Sequence, residues 1–561
     1  MNQIVECVPN FSEGRDQTVI KAISREIETT EGVKLLDVDP GADTNRTVIT
    51  FIGTPEGVKE AAFRAIRKAA ELIDMTKHHG EHPRIGAADV CPFVPVSGVT
   101  MADCVKLAHE LGKRVGDELG VPVYLYEEAA TKPERRNLAD IRKGEYEGLA
   151  EKLKDPAWQP DFGPAEFNPK FGAAIIGARE FLIAYNVNLN TRDRRIAQEI
   201  ALTLRESGRT RRNAQGNVVR DEKGQALKIP GKLKAVKGVG WYIEEYGQAQ
   251  VSYNLTNYKI TPLHILFEET CKEAERLGAR VTGSELVGLI PLAAMLETGR
   301  YFLEKQGKSP GVPEDELIHI AVKSLGLNEL SKFEPQKKII EYQFQEKHGK
   351  LAKLPLHKFA DELSLDSPTP GGGSTAALAG TLGAALCAMV ANLTYGNKKY
   401  PDVWEEMKNL ACQAQQLKDK LLQLIEQDSE AFNKVMAAFR LPQKTKEEQE
   451  AKAKAIEQAT KEATLVPLEV MEVSLQAMEL AKIAAEGGNV NAISDAGVGT
   501  FMDYAAVEGA FLNVKINLPG IQDEKFKADT LAKAEKLVAQ ARGLKEEIQA
   551  LVYQKISNKE E

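Results

Sequence analysis

The chain changes character near residue 360, and this change constrains its fold more than any other feature. Residues 360–561 are rich in Ala, Leu, Lys and Glu, carry apolar residues at helical spacing and contain no histidine. That pattern predicts an all-α domain. The first 330 residues instead alternate strand-like and helix-like segments, which predicts mixed sheets with helices packed against them.

A length of 561 residues exceeds what one hydrophobic core ordinarily serves. We therefore predict four segments: an α/β subdomain over 1–180, a second α/β subdomain over 181–330, a linker over 331–359 and the helical domain over 360–561. Within the second subdomain, the polar segment 209–234 indicates an exposed hairpin or flap.

Composition narrows the functional classes and the compartment. The formal net charge of -8 argues against bulk nucleic-acid binding. Six cysteines are scattered without a disulfide framework, and the N-terminus lacks a signal-peptide pattern, so we expect a reducing cytoplasm. Thr375–Leu393 is long and uncharged enough to span a bilayer. Its Ala, Gly and Thr content and its missing aromatic anchors favour a tightly packed bundle helix instead.

Three of the eight histidines lie within five positions, at His78, His79 and His82. They follow a helix-like segment and precede an apolar strand, so they occupy a loop at the end of a sheet. Imidazole is the natural proton carrier at neutral pH, which points to acid–base catalysis. With Glu81 the cluster also offers zinc donors, although neither CxxC nor HExxH spacing accompanies it. A solvated loop without function is the third interpretation.

The segment Asp37–Arg46 gathers three carboxylates and an arginine at a predicted hairpin turn. Asp39 can hold an imidazolium through a charge-assisted hydrogen bond, and Arg46 can bind a substrate carboxylate with its planar fork. The alternative is ordinary turn chemistry, because Asp, Asn, Pro and Gly all favour turns.

In the helical half, one carboxylate lies within an apolar helix face, whose members are Leu417, Leu421, Leu424, Asp428, Phe432 and Val435. Burial should raise the pKa of Asp428 and suit it to proton donation. The alternative is a buried aspartate that caps a helix or pairs with a neighbouring cation.

Two glycine-rich segments of the helical half complete the candidates. Gly371–Ser374 precedes an Ala-rich helix, where backbone amides favour anions, although it matches no phosphate-binding fingerprint. A purely structural helix entry is the alternative. Gly488–Gly499 contains Asn, Ser and Asp between helices and indicates either a polar binding loop or a long turn.

Several long motifs make the chain resemble formiminotransferase-cyclodeaminases, the bifunctional folate enzymes of histidine breakdown. In the first half they are VECVPNFSEGR, DVDPGADTNRTVITF, HHGEHPRIGAADVCPFVPV and GPAEFNPKFGAAIIGAR, and in the second half SPTPGGGSTAALAG, DSEAFNKVM and GNVNAISDAGVG. The resemblance covers nearly the whole chain.

The resemblance implies a transferase of two α/β subdomains with folate bound between them, followed by a helical cyclodeaminase. His82 matches the catalytic histidine, Asp39 its acidic partner and Asp428 the catalytic acid of the cyclodeaminase, while Arg46 falls within a substrate-binding turn. The expected folate-binding residues are Gly163, Pro164, Ala165, Glu166, Phe167, Asn168, Pro169, Lys170, Phe171 and Gly172, together with Gly371, Gly372, Gly373, Ser374 and Asp495.

The implied reaction moves the formimino group of N-formimino-L-glutamate to N5 of tetrahydrofolate, then closes 5,10-methenyltetrahydrofolate with release of ammonia. The folate is expected to be polyglutamylated, no metal is required, and the helical domain is expected to form homo-oligomers. Three alternatives stay open: a formiminoglycine donor, a methenyltetrahydrofolate cyclohydrolase in the helical half, and a non-catalytic folate-binding scaffold. The presence of both His82 and Asp428 argues against the scaffold.

Overall fold

The computed structural model describes residues 3–42, 44–80, 82–222, 224–344 and 349–558. It contains two compact units, one of Met1–Met295 with Leu325–Gln345 and one of Leu296–Ser324 with Glu346–Glu561. The helical unit therefore includes a segment, 296–324, that precedes the predicted linker. Mixed sheets with helices in the first unit and helices in the second confirm the predicted fold class.

The first subdomain is built on a seven-stranded sheet. Its elements are β1 (Ile4–Cys7), β2 (Asn10–Phe11), α1 (Gln17–Glu28), β3 (Val33–Gly41), β4 (Arg46–Gly53), α2 (Pro55–Leu72), β5 (Ala88–Ser97), α3 (Met101–Leu119), β6 (Val123–Glu127), α4 (Leu138–Arg142), α5 (Glu145–Lys152) and β7 (Ala174–Ala178). The predicted hairpin of β3 and β4 is confirmed, and β1 and β2 both lie between β4 and β5. Strands β5, β7 and β6 run parallel.

The two faces of this sheet have different neighbours because side chains alternate along each strand. One face forms the main core with α1, α2 and α3 and carries Val5, Cys7, Ile49, Phe51, Cys91 and Phe93. The opposite face carries Glu6, Val8, Arg46, Thr50, Val90 and Pro92, which line two cavities. The open face therefore positions the candidate transferase site.

The second subdomain contains a four-stranded antiparallel sheet in the order β11, β12, β8, β13. Its elements are β8 (Ile183–Leu189), α6 (Arg194–Leu204), β9 (Arg209–Thr210), β10 (Lys228–Ile229), β11 (Val236–Ile243), β12 (Gln248–Leu255), α7 (Leu263–Arg276) and β13 (Val281–Val287), followed by α8 (Leu292–Lys305), α9 (Glu314–Leu325), α10 (Pro335–Lys338) and α11 (Ile340–Phe344). Strands β9 and β10 pair at the base of the predicted exposed hairpin.

The remaining elements are helical: α12 (Leu356–Leu363), α13 (Gly372–Thr394), α14 (Trp404–Phe439), α15 (Lys446–Gly487), α16 (Ile493–Asn517) and α17 (Glu524–Ser557). Helix α13 is long and apolar enough to cross a membrane, but 56% of its most apolar window is buried. It packs against α14, α15 and α16, as predicted for a small-residue bundle helix.

The interpretation of Gly488–Gly499 as a polar binding loop or a long turn is wrong in part, because α16 already begins at Ile493. Gly497 and Gly499 lie inside α16. A Cβ at Gly499 would lie 3.2 Å from the Gly383 carbonyl oxygen. These glycines therefore serve close packing of α16 rather than a turn, a difference that local sequence does not reveal.

Candidate active sites

The loop that carries His78, His79 and His82, called the histidine loop below, is held in place by hydrogen bonds from the β3–β4 turn. Asn45, at φ 48°, accepts a hydrogen bond from the Gly14 amide at 3.0 Å and donates to the His79 carbonyl at 3.0 Å. Its own carbonyl contacts His78 Nε2 at 2.8 Å, while Arg84 Nε donates to His78 Nδ1 at 3.3 Å. Both ring nitrogens of His78 are therefore engaged by protein, and His78 has a structural role. His79 is exposed.

His82 is half-buried, and its Nε2 lies 2.7 Å from Arg46 Nη1. A guanidinium can only donate hydrogen bonds, so Nε2 accepts and the neutral imidazole carries its proton on Nδ1. Burial, the charge of Arg46 and the charge of Arg142 together lower the pKa of His82 to about 4. At neutral pH this imidazole is therefore uncharged, and its Nε2 is a base that can accept a proton.

Asp39 is exposed on β3, and no hydrogen bond joins it to His82 in the part of the chain that the structure describes. Burial and Arg142 lower the pKa of Arg46, whereas the charges of Asp89 and Asp39 raise it. Among the described residues Asp39 therefore influences Arg46, whereas Arg46 is the residue that contacts His82. That Asp39 is the catalytic acidic partner stays a prediction.

The sequence did not single out an ion pair near His82, between Asp89 and Arg142. Asp89 is 1% exposed, accepts a hydrogen bond from the Ile85 amide at 3.0 Å and forms an ion pair with Arg142. Burial raises the pKa of Asp89, and Arg142 opposes this. The signal in the sequence is a lone aspartate, Asp89, at the start of the apolar strand β5.

A cavity of about 640 Å³ adjoins Arg46 and Pro83 on the open face of the sheet. Its charged lining residues are the cations Arg46, Arg142, Lys143, Arg179 and Lys237 and the carboxylates Glu127 and Glu145. A second cavity of about 470 Å³ shares Val8, Arg179 and Leu182 with it and is lined by both α/β subdomains. The surplus of positive charge in the larger cavity favours anionic ligands.

Glu6 is a further residue that the sequence did not single out. It lies on β1, is 5% exposed and lines the 470 Å³ cavity. Burial raises the pKa of Glu6 to about 7, and the charge of Arg179 opposes this rise. No hydrogen bond to its carboxylate occurs among the described residues.

The stretch from Gly163 to Gly172 contributes no residue to the described lining of either cavity. Instead, its backbone carbonyls accept hydrogen bonds on both sides of the loop that carries His78, His79 and His82. The Lys170 carbonyl accepts from the Met75 amide at 2.9 Å, and the Phe171 carbonyl accepts from the Ala87 amide at 2.7 Å. Folate binding by this stretch stays a prediction.

In the helical unit, Asp428 on α14 faces the first turn of α13. Ser374 Oγ, which is fully buried, donates to Asp428 Oδ2 at 3.1 Å and also contacts the Ile425 carbonyl at 2.9 Å. A Cβ at Gly373 would overlap the Asp428 carboxylate, so only glycine allows this approach. The first turn of α13 and the Asp428 carboxylate are thus in direct contact. This contact agrees with the predicted capping role of Asp428 as well as with a catalytic role.

Burial raises the pKa of Asp428, while the hydrogen bonds from Ser374 lower it. Leu421 and Leu424 on the same helix face are fully buried, whereas Phe432 is 36% exposed. Asp428 therefore lies where the apolar stripe leaves the core, so it is both desolvated and near a surface.

Asp495 does not join this group within one chain. Helices α13 and α16 are antiparallel, with Gly372 beside Asn513 and the Asn489 amide bonded to Thr394 Oγ1 at 2.8 Å. Gly499 of α16 lies against Gly383 in the middle of α13, and Asp495 is one turn nearer the C-terminal end of α13, so it lies roughly 20 Å from Gly373 and Asp428.

No group of three or more His, Cys, Asp or Glu side chains among the described residues is arranged to hold a metal ion. Glu81, one of the donors considered for zinc, lies outside the described residues. A neutral imidazole near a cationic cavity and a half-buried carboxyl in the helical unit are the groups that a two-centre acid–base enzyme requires.

The chain belongs to the formimidoyltransferase-cyclodeaminase family. Its residues 4–179 match the family "Formiminotransferase domain, N-terminal subdomain", 184–345 match "Formiminotransferase domain" and 355–536 match "Formiminotransferase-cyclodeaminase". The formimidoyltransferase-cyclodeaminase of Gallus gallus is 47% identical over 545 residues, which are 97% of each chain.

Two shorter relatives match the two halves separately. A glutamate formimidoyltransferase of Streptococcus pyogenes is 43% identical and covers 54% of this chain and 94% of its own length. A methenyltetrahydrofolate cyclohydrolase of Methylorubrum extorquens is 43% identical over 202 residues, which are 36% of this chain and 97% of its own. Each half of the chain is therefore similar to a relative that consists of that half alone.

Proposed function

We propose that the chain transfers the formimino group of N-formimino-L-glutamate to N5 of tetrahydrofolate and then cyclises 5-formiminotetrahydrofolate to 5,10-methenyltetrahydrofolate and ammonia. The observation that carries the proposal is His82, a neutral imidazole whose Nε2 contacts Arg46, a residue that lines the cationic cavity. The family relationship to bifunctional enzymes supports both halves of the reaction.

In the transfer step, N5 of tetrahydrofolate attacks the formimino carbon and loses a proton, while the departing glutamate nitrogen gains one. His82 can accept the first proton on Nε2 and return it to the leaving nitrogen. Arg46 Nη1 contacts Nε2 in the structure. A substrate carboxylate that pairs with Arg46 would release that nitrogen and raise its basicity, so binding would prepare the base.

The cavity charges bear on the identity of the donor. The larger cavity has five cationic and two anionic lining side chains. Formiminoglutamate brings two carboxylates and formiminoglycine only one, so the surplus favours the glutamate derivative. The glutamate tail of the folate, which we expect to be polyglutamylated, is anionic as well.

In the second step, N10 attacks the formimino carbon and the former imine nitrogen leaves as ammonia. An amide anion is a very poor leaving group, so that nitrogen must be protonated before the bond breaks. Asp428 has its pKa raised by burial and is the donor that we assign. A cyclohydrolase would instead add water to the methenyl product and would release no ammonia.

The test is to mix the purified protein with tetrahydrofolate and formiminoglutamate and to follow methenyltetrahydrofolate absorbance and ammonia together. We expect both products in equal amounts, and a slower reaction with formiminoglycine. Consumption of formiminoglutamate with neither methenyltetrahydrofolate absorbance nor ammonia would contradict the deaminase assignment. No turnover with either donor would favour a binding scaffold.

The proposal also includes the cellular compartment and the oligomeric state. Cys7, Cys91, Cys104, Cys271, Cys387 and Cys412 are all free thiols in the structure, which supports a reducing cytoplasm. Apolar side chains remain exposed on the helical unit, including Leu512 at 68% and Ile516 at 77%. Such surface supports homo-oligomers formed through this unit.

A further inference from the structure

Glu6 is a buried carboxylate that the proposed reaction steps do not use. Its side chain is 5% exposed and lines the 470 Å³ cavity between the two α/β subdomains. Arg179 lines the same cavity, and its charge acts on Glu6, but no described residue donates a hydrogen bond to the Glu6 carboxylate. A buried carboxylate without a hydrogen-bonding partner costs stability. Proteins retain such a cost where a ligand supplies the missing partner.

The cavity that Glu6 lines has largely apolar walls. They are formed by Val8, Leu36, Phe181, Leu182, Val287 and Leu289. Leu182 is 39% and Val287 is 50% exposed, so apolar surface around the carboxylate stays uncovered. The other charged lining residues, Asp37, Arg179, Lys337 and Lys338, are all less buried than Glu6. A volume of 470 Å³ lies within the ~300–1,000 Å³ of small-molecule sites. This cavity therefore suits a flat apolar ligand with N–H groups along one edge.

The pterin ring of tetrahydrofolate is such a ligand. Its N3–H and 2-amino group lie side by side at one end of the ring, where they can donate two parallel hydrogen bonds to the two oxygens of one carboxylate. Its N5 lies at the other end, next to the carbon that bears the p-aminobenzoylglutamate tail. The formimino donor suits this cavity less well, because its two carboxylates would face the Glu6 carboxylate.

The spacing along the sheet agrees with the length of the pterin ring. Glu6 and Asn10 pair with residues of β4 that are four positions apart, so they are separated by roughly 13 Å along the sheet. Asn10 lines the larger cavity together with Pro83, the residue that follows His82. A pterin ring with one hydrogen bond at each end spans roughly 11 Å. A ring that is bound to Glu6 therefore points N5 toward the His82 end of the open face.

We propose that Glu6 selects the folate by accepting hydrogen bonds from N3–H and the 2-amino group of the pterin ring in the 470 Å³ cavity. The tail of the folate and the formimino donor then occupy the larger cavity, which shares Val8, Arg179 and Leu182 with the first. The inference rests on the proposed transferase activity, and it assigns a specificity-determining role to a carboxylate that this activity leaves without a function.

A folate that lacks the 2-amino group tests the assignment. We compare kcat/KM for formimino transfer to tetrahydrofolate and to its 2-desamino-2-methyl analogue. The unmodified full-length chain should prefer tetrahydrofolate by roughly 10–150-fold, the value of a hydrogen bond to a charged group. In Glu6→Gln the preference should fall to about fivefold, because only a neutral hydrogen bond remains. A purely structural role of Glu6 would lower transfer to both folates equally and would leave this ratio unchanged.

Asp37→Asn is the matched control, because it removes the charge of an exposed carboxylate that lines the same cavity. This variant should keep the full preference for tetrahydrofolate. An unchanged preference in Glu6→Gln would overturn the proposal. A higher KM for formiminoglutamate in Glu6→Gln, with the folate preference unchanged, would show that Glu6 binds the donor and would overturn it as well. Thermal unfolding of each variant verifies that the chain is folded.

A binding measurement without turnover separates this inference from the proposed function. If neither formimino donor reacts, the proposed function is wrong, and calorimetric titration with 5-formyltetrahydrofolate then decides the role of Glu6. Glu6→Gln should weaken one binding site of the full-length chain by about tenfold and leave the site in the helical unit unchanged. Equal binding of 5-formyltetrahydrofolate by Glu6→Gln and by the unmodified chain would overturn the assignment of the pterin ring to Glu6.

Discussion

The contact between Arg46 and His82 gives the sharpest quantitative prediction. Replacing Arg46 by Gln removes a positive charge whose Nη1 lies 2.7 Å from His82 Nε2. Without that charge the protonated imidazole is less disfavoured, so the pKa of His82 must rise. The direction follows from electrostatics alone and holds whatever role Arg46 has toward substrate.

The magnitude follows from two bounds. Two unit charges at this distance interact by about 1.5 kcal/mol in water and about 6 kcal/mol at an effective dielectric constant of 20. The pKa of His82 falls from 6.5 to about 4, and burial is the largest cause, ahead of Arg46. Arg46 thus accounts for less than half of the depression, so its removal should raise the pKa by about one unit.

The assay is a proton NMR titration of the imidazole Cε1–H signals in the free protein, with His82→Gln to assign the resonance. The acid limb of kcat/KM for transfer should move upward with the same pKa. Arg142→Gln is the matched control and should give a smaller rise, because Arg142 is the weaker of the two cationic causes.

The variant Asp39→Asn tests whether Arg46 or Asp39 is the partner of the His82 imidazole. If Arg46 is the partner of the imidazole, removing the exposed Asp39 charge should lower the pKa of His82 slightly. A larger change in Asp39→Asn than in Arg46→Gln would show that the carboxylate holds the imidazole, and would refute the reasoning above.

Four further predictions concern the two sites and the stability of the chain. His82→Ala should lose roughly 10²–10⁴-fold in formimino transfer, measured by folate absorbance, yet keep ammonia release from supplied 5-formiminotetrahydrofolate; wild-type transfer would sink the assignment. Asp428→Asn and Gly373→Ala should both lose ammonia release by orders of magnitude and accumulate 5-formiminotetrahydrofolate, because a Cβ at Gly373 would overlap the carboxylate; undiminished ammonia release would show that another acid, such as Glu430, supplies the proton. The carboxyl of Glu6 titrates at 4.5 in the unfolded chain and at about 7 in the fold, so its burial costs stability progressively between those pH values and in full above them. The gain in the free energy of unfolding of the first unit on replacing Glu6 by Gln should therefore be roughly 3 kcal/mol larger at pH 8 than at pH 4, as measured by urea unfolding. An equal gain at both pH values would contradict this. Fragments 1–330 and 355–561 should each be soluble, with transferase activity only in the first. The second fragment should have a lower melting temperature than the full chain, because it lacks residues 296–324, which contact α13 through Gly311.

The sequence by itself determined the features that depend on local periodicity. Helical spacing beyond residue 360 predicted the all-α unit, and alternation around the Asp37–Arg46 turn predicted the β3–β4 hairpin. The apolar stripe through Asp428 predicted a desolvated carboxyl, as the structure has it. Each of these depends on residues within a few turns or one hairpin, where spacing translates directly into a shared face.

Only the tertiary structure decided which distant groups meet. All four residues of β1 are buried, so no alternation in the sequence marked Glu6 as facing a cavity. The choice of Arg46 over Asp39 as the partner of His82 depends on how a hairpin turn packs against a loop more than thirty residues away. The direction of α16 against α13 placed Asp495 away from Asp428. Strand pairing and helix direction are set by the summed burial of many side chains, and no local pattern carries that sum.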